Sequence, residues 1–594
     1  MFGNLETFDF ITFAGYLLVM MGFGIWIANR EKTENSSDYF LASRALPWWA
    51  VGGSLIASNI STEQIMGMNG SGFEFGLAIA TYELMAAASL LIVAKFFLPV
   101  FLKKGIFTMP QFLEMRYDKR SATLMSVFWL ALFVLVNITS VLYLGSLAIE
   151  SLLGVPLWMG IVGLVIYSAT FSIFGGLKAV VWTDVVQVIV LIVGGTVAAY
   201  AVISAVGGEG GGFLAGLSTL YEQTPERFEM LFEPDDTFTS LVDGPNQSSY
   251  DLLPGLGVLL GGMWITNLYY WGNNQYIIQR ALAAKNIGEA QKGVAFAAFL
   301  KIFMPLIVVL PGIAAFVLNA DLEKADEAFP WVLNNHVGVG LKGLTFAALV
   351  AAIGSSISSM VNSCSTIFTL DIYHDYINKE ASEQRLVWIG RVAAGVALAI
   401  GAVLAPALDS LGQVIQFIQE FTGFISPGVF AVFLFGIFWK RTSADAAFAT
   451  IMVAIPLSFA LKFIFPELPF LDRMAICFAL CVILLVTISI FGVGEKTNSV
   501  NDKPFRYGLM GAVALIAGST GVKILVIDQD VPNFIGIIAL VLAAIAVGLI
   551  FSEKKADDVR AIHLEPGMFR TNAVFNVSAV AICLILAAIY SFLG

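Results

Sequence analysis

The residues best suited to chemistry stand where an apolar chain should not carry them. In GGSLIASNISTEQIMGMNGSG, Asn59, Ser61, Thr62, Glu63 and Gln64 sit together among glycines and aliphatics. In GGMWITNLYYWGNNQY, Asn267, Tyr269, Tyr270, Trp271, Gly272, Asn273 and Asn274 form a polar, aromatic middle. In AAIGSSISSMVNS, Ala352, Ser355, Ser356 and Ser359 recur at i, i+3, i+4 and i+7, one face of a helix, with Ser358 adjacent. A small hard cation takes hydroxyl, carbonyl and carboxylate oxygens, so a sodium site is one reading of that face. Serines that bond back to their own helix or join helix pairs are the other. Asp184, in WTDVVQ, either compensates such a cation or caps a helix near the inner surface. Glu83 beside Tyr82, Lys301, and Gln419 with Glu420 complete the set. If they converge on one cavity, the mixture suits a neutral polyhydroxy solute. Each hydroxyl donates and accepts, and an aromatic face meets the ring's C–H surface. Lys95 reads as a snorkelling side chain.

The elements that must position these groups follow from composition. Of 594 residues, 58% are hydrophobic and 13% charged, and mean hydropathy is +0.84. A soluble domain runs nearer ~45–50% apolar and ~25% charged, so a soluble enzyme is excluded and the solvent is the bilayer. A net charge of −11 argues against nucleic acid, which needs basic patches. Cys364, Cys477, Cys481 and Cys583 lie in apolar runs without a CxxC, so disulfide frameworks and zinc sites are not expected. His336, His374 and His563 lie in polar connections.

About sixteen segments are apolar enough to span: roughly 8–28, 47–70, 75–102, 121–147, 155–174, 178–206, 251–275, 292–318, 342–371, 386–406, 414–438, 443–464, 471–493, 506–525, 534–551 and 572–593. The first, flanked by Glu6 and Asp9 without Lys or Arg, is not a signal peptide. Alternate loops carry the basic residues: Arg30, Lys32 and Arg44; Lys103, Lys104, Arg116, Lys119 and Arg120; Arg280 and Lys285; Lys379 and Arg385; Lys440 and Arg441; Lys496 and Lys503; Lys554, Lys555, Arg560 and Arg570. Arg227 and Lys324 are the exceptions. The positive-inside rule then places both termini outside. Two acidic outer loops, 207–250 and 319–341, read as a solvated cap or a cation funnel.

A continuous lipid-facing helix would not tolerate the polar clusters in the second and seventh spans. Broken helices lining a cavity would, because freed carbonyls can bind a cation or substrate. The two breaks are five spans apart, as expected if spans two to six and seven to eleven form inverted repeats.

With these residues the chain is recognisable. DYFLASRALPWWAVGGSLIASNISTEQ, VLYLGSLAIE, VVWTDVVQV, NLYYWGNNQYIIQRALAAK, NSCSTIFTLDIY and IQEFTGFISPG resemble the sodium/sugar cotransporter (SGLT) branch of the sodium:solute symporter family, its bacterial galactose carriers in particular. The resemblance covers about 8–490 and about 566 to the end. It implies an all-α polytopic membrane protein with a LeuT-type five-plus-five inverted repeat. One transmembrane domain over 1–594 would comprise a leading helix (8–28), first repeat (47–206), second repeat (251–438), following helices (443–493), an extra hairpin (506–551) and a last helix (572–593).

The resemblance further implies a sugar cavity of Asn59, Gln64, Glu83, Asn267, Lys301 and Gln419. Tyr270 with Trp271 would be the inner gate, and Met68, Tyr82 and Ile415 the outer gate. A first sodium would take the Ala57, Ile60 and Ala352 carbonyls and the Ser355 and Ser356 hydroxyls. A second would take Asp184, Ser355, Ser358 and Ser359, giving two sodium ions per sugar. Three departures stand out: Ala86 replaces a serine of the sugar site, Ile415 replaces an outer-gate phenylalanine, and 495–565 inserts the hairpin.

The expected function is sodium-coupled symport of a neutral hexose, glucose or galactose, by alternating access in the inner (plasma) membrane. No enzymatic activity, organic cofactor or nucleic-acid partner is expected, and a monomer should be competent for transport. Alternatives are another neutral solute such as inositol, a non-transporting membrane sensor, or a passive channel. No arginine is placed deep in the core spans, which disfavours an anionic solute.

Overall fold

The computed structural model describes residues 5–491, short of 31–34, 234–235, 241–243, 254, 256–260, 411–413 and 467, and beyond them 496–497, 518, 557–558, 560–565 and 567–593. Helices occupy each predicted span except 506–525 and 534–551, which, 518 apart, lie outside the described residues. By length and composition 10 described helices can cross a membrane, or 11 if one bent pair counts as a span.

In chain order the helices used below are α1 (Thr7–Arg30), α2 (Trp48–Asn59), α3 (Met68–Phe75), α4 (Thr81–Ile92), α5 (Lys119–Ala131), α6 (Thr139–Leu153), α7 (Leu157–Val206), α8 (Gly262–Asn273), α9 (Gln275–Leu282), α10 (Ile287–Phe303), α11 (Leu310–Val317), α12 (Leu341–Ile367), α13 (Glu383–Leu404), α14 (Val414–Phe438), α15 (Ala444–Ile464), α16 (Phe470–Phe491) and α17 (Ala573–Leu593). The most enclosed is the ninth span, Leu341–Ile377, which contains α12 and whose 18-residue apolar stretch is 94% buried. At the other extreme, the buried residues of α17 are Phe575 and Ile582. Its exposed Val574, Val577, Val580 and Leu584 belong against lipid tails.

The breaks have local causes. α2 stops at Asn59 because Ile60 is extended (φ −75°, ψ 94°). The Ser61 N–H then bonds to the Gln64 side chain at 3.0 Å, where an unbroken helix would send it to the Ala57 carbonyl. A wide turn, Glu63–Gly67, carries the chain on into α3. α8 stops at Asn273, with Asn274 extended (φ −77°, ψ 122°) before α9. The eighth span bends by 41° between α10 and the segment Pro305–Val317, where Pro305 cannot donate to the helix ladder. In α7, Gly176 (φ 57°, ψ −162°) turns the fifth predicted span into the sixth, a conformation open to glycine.

The 207–250 loop is more than a solvated cap. It contains a helix, Gly212–Gln223, and an antiparallel pair, Thr237–Ser240 with Gly244–Ser248. The Met230 N–H donates to the Leu593 carbonyl at 2.8 Å, and Arg227 Nη1 donates to the Phe73 carbonyl at the end of α3 at 2.7 Å.

α2 and α10 cross backbone against backbone. A Cβ on Gly52 would meet the Gly293 carbonyl at 2.5 Å, and one on Gly293 would meet the Trp48 carbonyl at 2.7 Å. Small residues permit such close approach in membranes. Gly52→Val should therefore force the helices apart and cost at least ~1–3 kcal/mol. Thermal unfolding of the detergent-purified protein should show a clear fall in midpoint, and an unchanged midpoint would refute the crossing.

Candidate functional site

One small cavity, of about 70 Å³, lies between the broken second span and the helices around it. Its wall includes Asn59 at the end of α2, Glu63 and Gln64 in the wide turn, Glu83 on α4, Asn267 on α8, Lys301 on α10 and Gln419 on α14. The six residues expected to form the sugar cavity thus share one space, though they are spread along the chain from Asn59 to Gln419. Met68, Tyr82, Ala86, Tyr270 and Trp271 line it too. Ile415 lies in α14, and its side chain falls outside the described residues.

The strongest electrostatic feature is the pair Lys301–Glu83, Nζ to Oε2 at 2.5 Å, with side chains 1% and 3% exposed. Lys301 Nζ also stands 5.3 Å from the centre of the Trp271 ring, a cation–π contact. The pair cancels its own charge inside the cavity. Among the described residues no arginine lines that wall, so nothing there selects an anion by a bidentate fork. Meanwhile Asn59 Oδ1, Glu63 Oε1, Asn137 Oδ1 and Asn274 Oδ1 are buried without a hydrogen-bond partner. All four residues line the cavity. Unpaired acceptors of this kind are costly, and a ligand rich in O–H donors would satisfy them.

On one side the cavity is latched. Asn59 Nδ2 donates to the Tyr270 hydroxyl at 2.9 Å. That hydroxyl meets the Tyr276 hydroxyl at 2.5 Å, and the two rings pack edge to face at 5.8 Å. Tyr270 stands inside the polar run of the seventh span, whereas Tyr276 lies past the Asn274 break and reads in sequence as part of the exit from the span. Glu63, Asn137 and Thr266 line the cavity beyond the six expected residues, although Glu63 stands beside Gln64 in the polar run.

A second polar centre lies where α2, α7 and α12 meet. Asp184 is fully buried, so it is not a cap at the membrane surface. It accepts from Ser355 Oγ at 2.6 Å, from Ser54 Oγ at 2.5 Å and from Ser58 Oγ at 3.4 Å. Ser58 Oγ meets Ser359 Oγ at 2.8 Å, and Ser356 Oγ donates to the Ser58 carbonyl at 3.1 Å. Ala57, Ile60 and Ala352 are buried around the α2 break and on α12. Ser358 differs from expectation. Its hydroxyl donates back to the Gly354 carbonyl at 2.5 Å, bonding its own helix and standing outside the Asp184 network. Ser54 and Ser58 take part instead. Their spacing of four along α2 puts them on one helix face, the signal that could have found them.

The expectation about arginine is corrected. Arg280 is fully buried; its Nη2 donates to Ser359 Oγ and its Nη1 to the Tyr276 carbonyl. Counted in sequence as an inner-loop cation beside Lys285, it lies in the bundle because α9 continues the broken seventh span inward. Arg116 is also fully buried. It donates to the Gly436 carbonyl at 2.8 Å and the Trp439 carbonyl at 3.2 Å, satisfying the end of α14. The argument against an anionic solute therefore rests on the cavity wall and not on the spans at large. Lys95 is half-buried, 5.5 Å from the Phe96 ring centre.

Comparison with known proteins agrees on family and fold. The profile of the sodium:solute symporter family matches residues 39–454. The sodium/glucose cotransporter of Vibrio parahaemolyticus is 47% identical over 518 residues, covering 84% of this chain and 92% of that protein. Human sodium/myo-inositol cotransporter 2 is 34% identical over 466 residues, 75% of this chain and 68% of that protein. Among solved structures, the substrate-bound outward-open state of a sodium-coupled sialic acid symporter superposes with a TM-score of 0.69 at 25% identity, covering 82% of this chain and 98% of that one. Mhp1, a nucleobase-cation-symport-1 transporter in a closed conformation, shares the fold at a TM-score of 0.51 and 13% identity, covering 77% of this chain and 96% of that one.

Proposed function

This chain belongs to the sodium:solute symporter family, and from that premise we propose that it couples sodium entry to uptake of a neutral hexose, glucose or galactose. It is a multi-pass membrane protein, and its place is the inner (plasma) membrane. The observation that carries the hexose is the cavity wall: amide and carboxyl groups with unpaired acceptors, one self-neutralised Lys301–Glu83 pair, and the Tyr270 and Trp271 rings. Its work is transport and not catalysis, and sodium is a co-transported substrate.

The proposed assignment keeps Asn59, Gln64, Glu83, Asn267, Lys301 and Gln419 as sugar ligands. Tyr270 and Trp271 form the inner gate, and Met68, Tyr82 and Ile415 the outer one. The first sodium takes the Ala57, Ile60 and Ala352 carbonyls with Ser355 and Ser356. The second takes Asp184, Ser355 and Ser359, with Ser54 and Ser58 supplying hydroxyls where Ser358 turns away. Two inverted repeats, 47–206 and 251–438, are supported by the matching breaks at Ile60 and Asn274. About sixteen spans with both termini outside follow from the alternation of basic loops. A monomer suffices for transport.

Alternating access then proceeds by differential binding. Sodium holds the broken α2–α3 span against α12 and favours the outward-open cavity. Sugar satisfies the orphaned acceptors, the outer gate closes, and the repeats rock. Sodium leaves inward, the Tyr270 latch yields, and sugar follows. Coupling requires that sodium bind the two states unequally. A second reading, myo-inositol, is favoured by the 34% identity to the human inositol cotransporter; competition between inositol and labelled glucose separates the two.

Ala86 gives a local test of the substrate. It lines the cavity without the hydroxyl that a serine would add. Ala86→Ser should restore one hydrogen bond to an epimer-defining hydroxyl, worth about 0.5–1.5 kcal/mol. The glucose-to-galactose uptake ratio should then shift by about 2- to 12-fold. An unchanged ratio would mean that position 86 does not face the sugar's epimeric carbon.

A further inference from the structure

Arg280 is a charged side chain that neither the sugar cavity nor the sodium ligand set uses, and it is fully enclosed. Its guanidinium joins two centres on different helices. Nη1 donates to the backbone carbonyl of Tyr276, the latch partner of Tyr270, one turn back on α9. Nη2 donates to Ser359 Oγ on α12, which meets Ser58 Oγ beside Asp184. Two hydrogen-bonded groups therefore meet at Tyr276: its hydroxyl belongs to the Asn59–Tyr270 latch, and its backbone carbonyl holds Arg280, which leads on to Ser359, Ser58 and Asp184. The Nε of Arg280 is buried and unpartnered among the described residues, so the guanidinium is held at one edge and not locked on every side. Among the described residues the nearest compensation for its charge along this path is the Asp184 carboxylate. Sodium entering that pocket would add positive charge to a centre that Arg280 already balances, and like charges in a low-dielectric interior repel strongly.

We propose that Arg280 is a tethered counter-cation that transmits sodium occupancy of the Asp184 pocket to the Tyr270–Tyr276 latch. With the pocket empty of sodium, the guanidinium is held on Ser359 and leaves the latch free to yield. With sodium present, it is displaced from Ser359 toward Tyr276 and reinforces the latch. Arg280 is a positioning residue, since it touches neither sugar nor sodium in this arrangement. The inference rests on the sodium-symport reading above.

The test measures glucose affinity of the purified full-length protein in nanodiscs, in sodium and in choline chloride. Hydrogen exchange over residues 262–282 is followed in the same two salts. In the wild type, sodium should raise glucose affinity by a factor in the ~5–150-fold range of allosteric coupling and alter exchange over 262–282. R280Q should reduce that factor to about one and erase the exchange difference, while glucose affinity in choline is retained. R280K, which keeps the charge and loses the fork, should lie between. R280Q that binds glucose and keeps the wild-type factor overturns the proposal. If R280Q does not fold, R280K decides: an intermediate factor supports the bridge and an unchanged one refutes it. A wild type in which sodium changes neither quantity removes the symport reading itself, a result distinct from either variant's.

Discussion

Lys301→Ala should abolish sodium-driven hexose uptake and lower stability by about 3–5 kcal/mol, the usual cost of stranding one member of a buried ion pair. Lys301 and Glu83 face each other at 2.5 Å with almost no exposure. Removing the ammonium leaves a carboxylate in a cavity whose wall already holds the unpaired Glu63 Oε1. Glu83→Gln should be gentler on the fold, because the amide still accepts from Lys301, yet it should be as damaging to uptake. The informative variant is the pair Glu83→Gln with Lys301→Met. Apolar replacement of a buried pair is often neutral for stability, so melting should return toward the wild-type midpoint while uptake stays absent. If the double variant transports hexose normally, the pair is structural only, and the sugar-ligand assignment fails.

Asp184→Ala should strip one sodium from the transport cycle. Asp184 accepts from Ser54, Ser58 and Ser355, and losing it removes both a charge and the acceptor that orients three hydroxyls. A cation moving down the membrane potential gains about 2.3 kcal/mol per 100 mV. Losing one of two coupled ions should therefore lower the steady-state sugar gradient by roughly 50-fold at that voltage. The measured stoichiometry, from reversal potentials in voltage-clamped vesicles, should fall from two to one. A wild-type ratio of one that Asp184→Ala leaves unchanged would show that the Asp184 centre is a structural network without a transported ion.

The sequence carried much of this because membranes penalise misplaced polarity. Asn59, Gln64, Glu83, Asn267, Lys301 and Gln419 were legible one by one, since each is expensive in a lipid-facing span. The breaks at Ile60 and Asn274 were legible for the same reason. What stayed hidden depends on rotamers and on where a helix resumes. Ser358 and Ser359 are adjacent and chemically alike, yet only Ser359 joins the Asp184 network, while Ser358 bonds its own helix. Arg280 sits at a distance from the break that is also consistent with an inner loop, and only the continuation of α9 places it inside. Tyr276 carries no signal in the sequence because its partner, Tyr270, lies on the other side of that break. The loop 207–250 looks solvated by composition, but apolar residues such as Leu220, Met230 and Phe232 fold it onto the bundle. The hairpin at 506–551, residue 518 apart, lies outside the described residues.

The central claim is that sodium drives a neutral hexose through one cavity. Its most direct test is accumulation of labelled glucose and galactose in proteoliposomes of the purified full-length protein, with an inward sodium gradient and with choline in its place. The account predicts uphill accumulation of at least one hexose with sodium, collapse of that gradient when sodium is equalised, and no accumulation in choline. Equal uptake in both salts, or no hexose uptake in either while the protein remains folded, would contradict it.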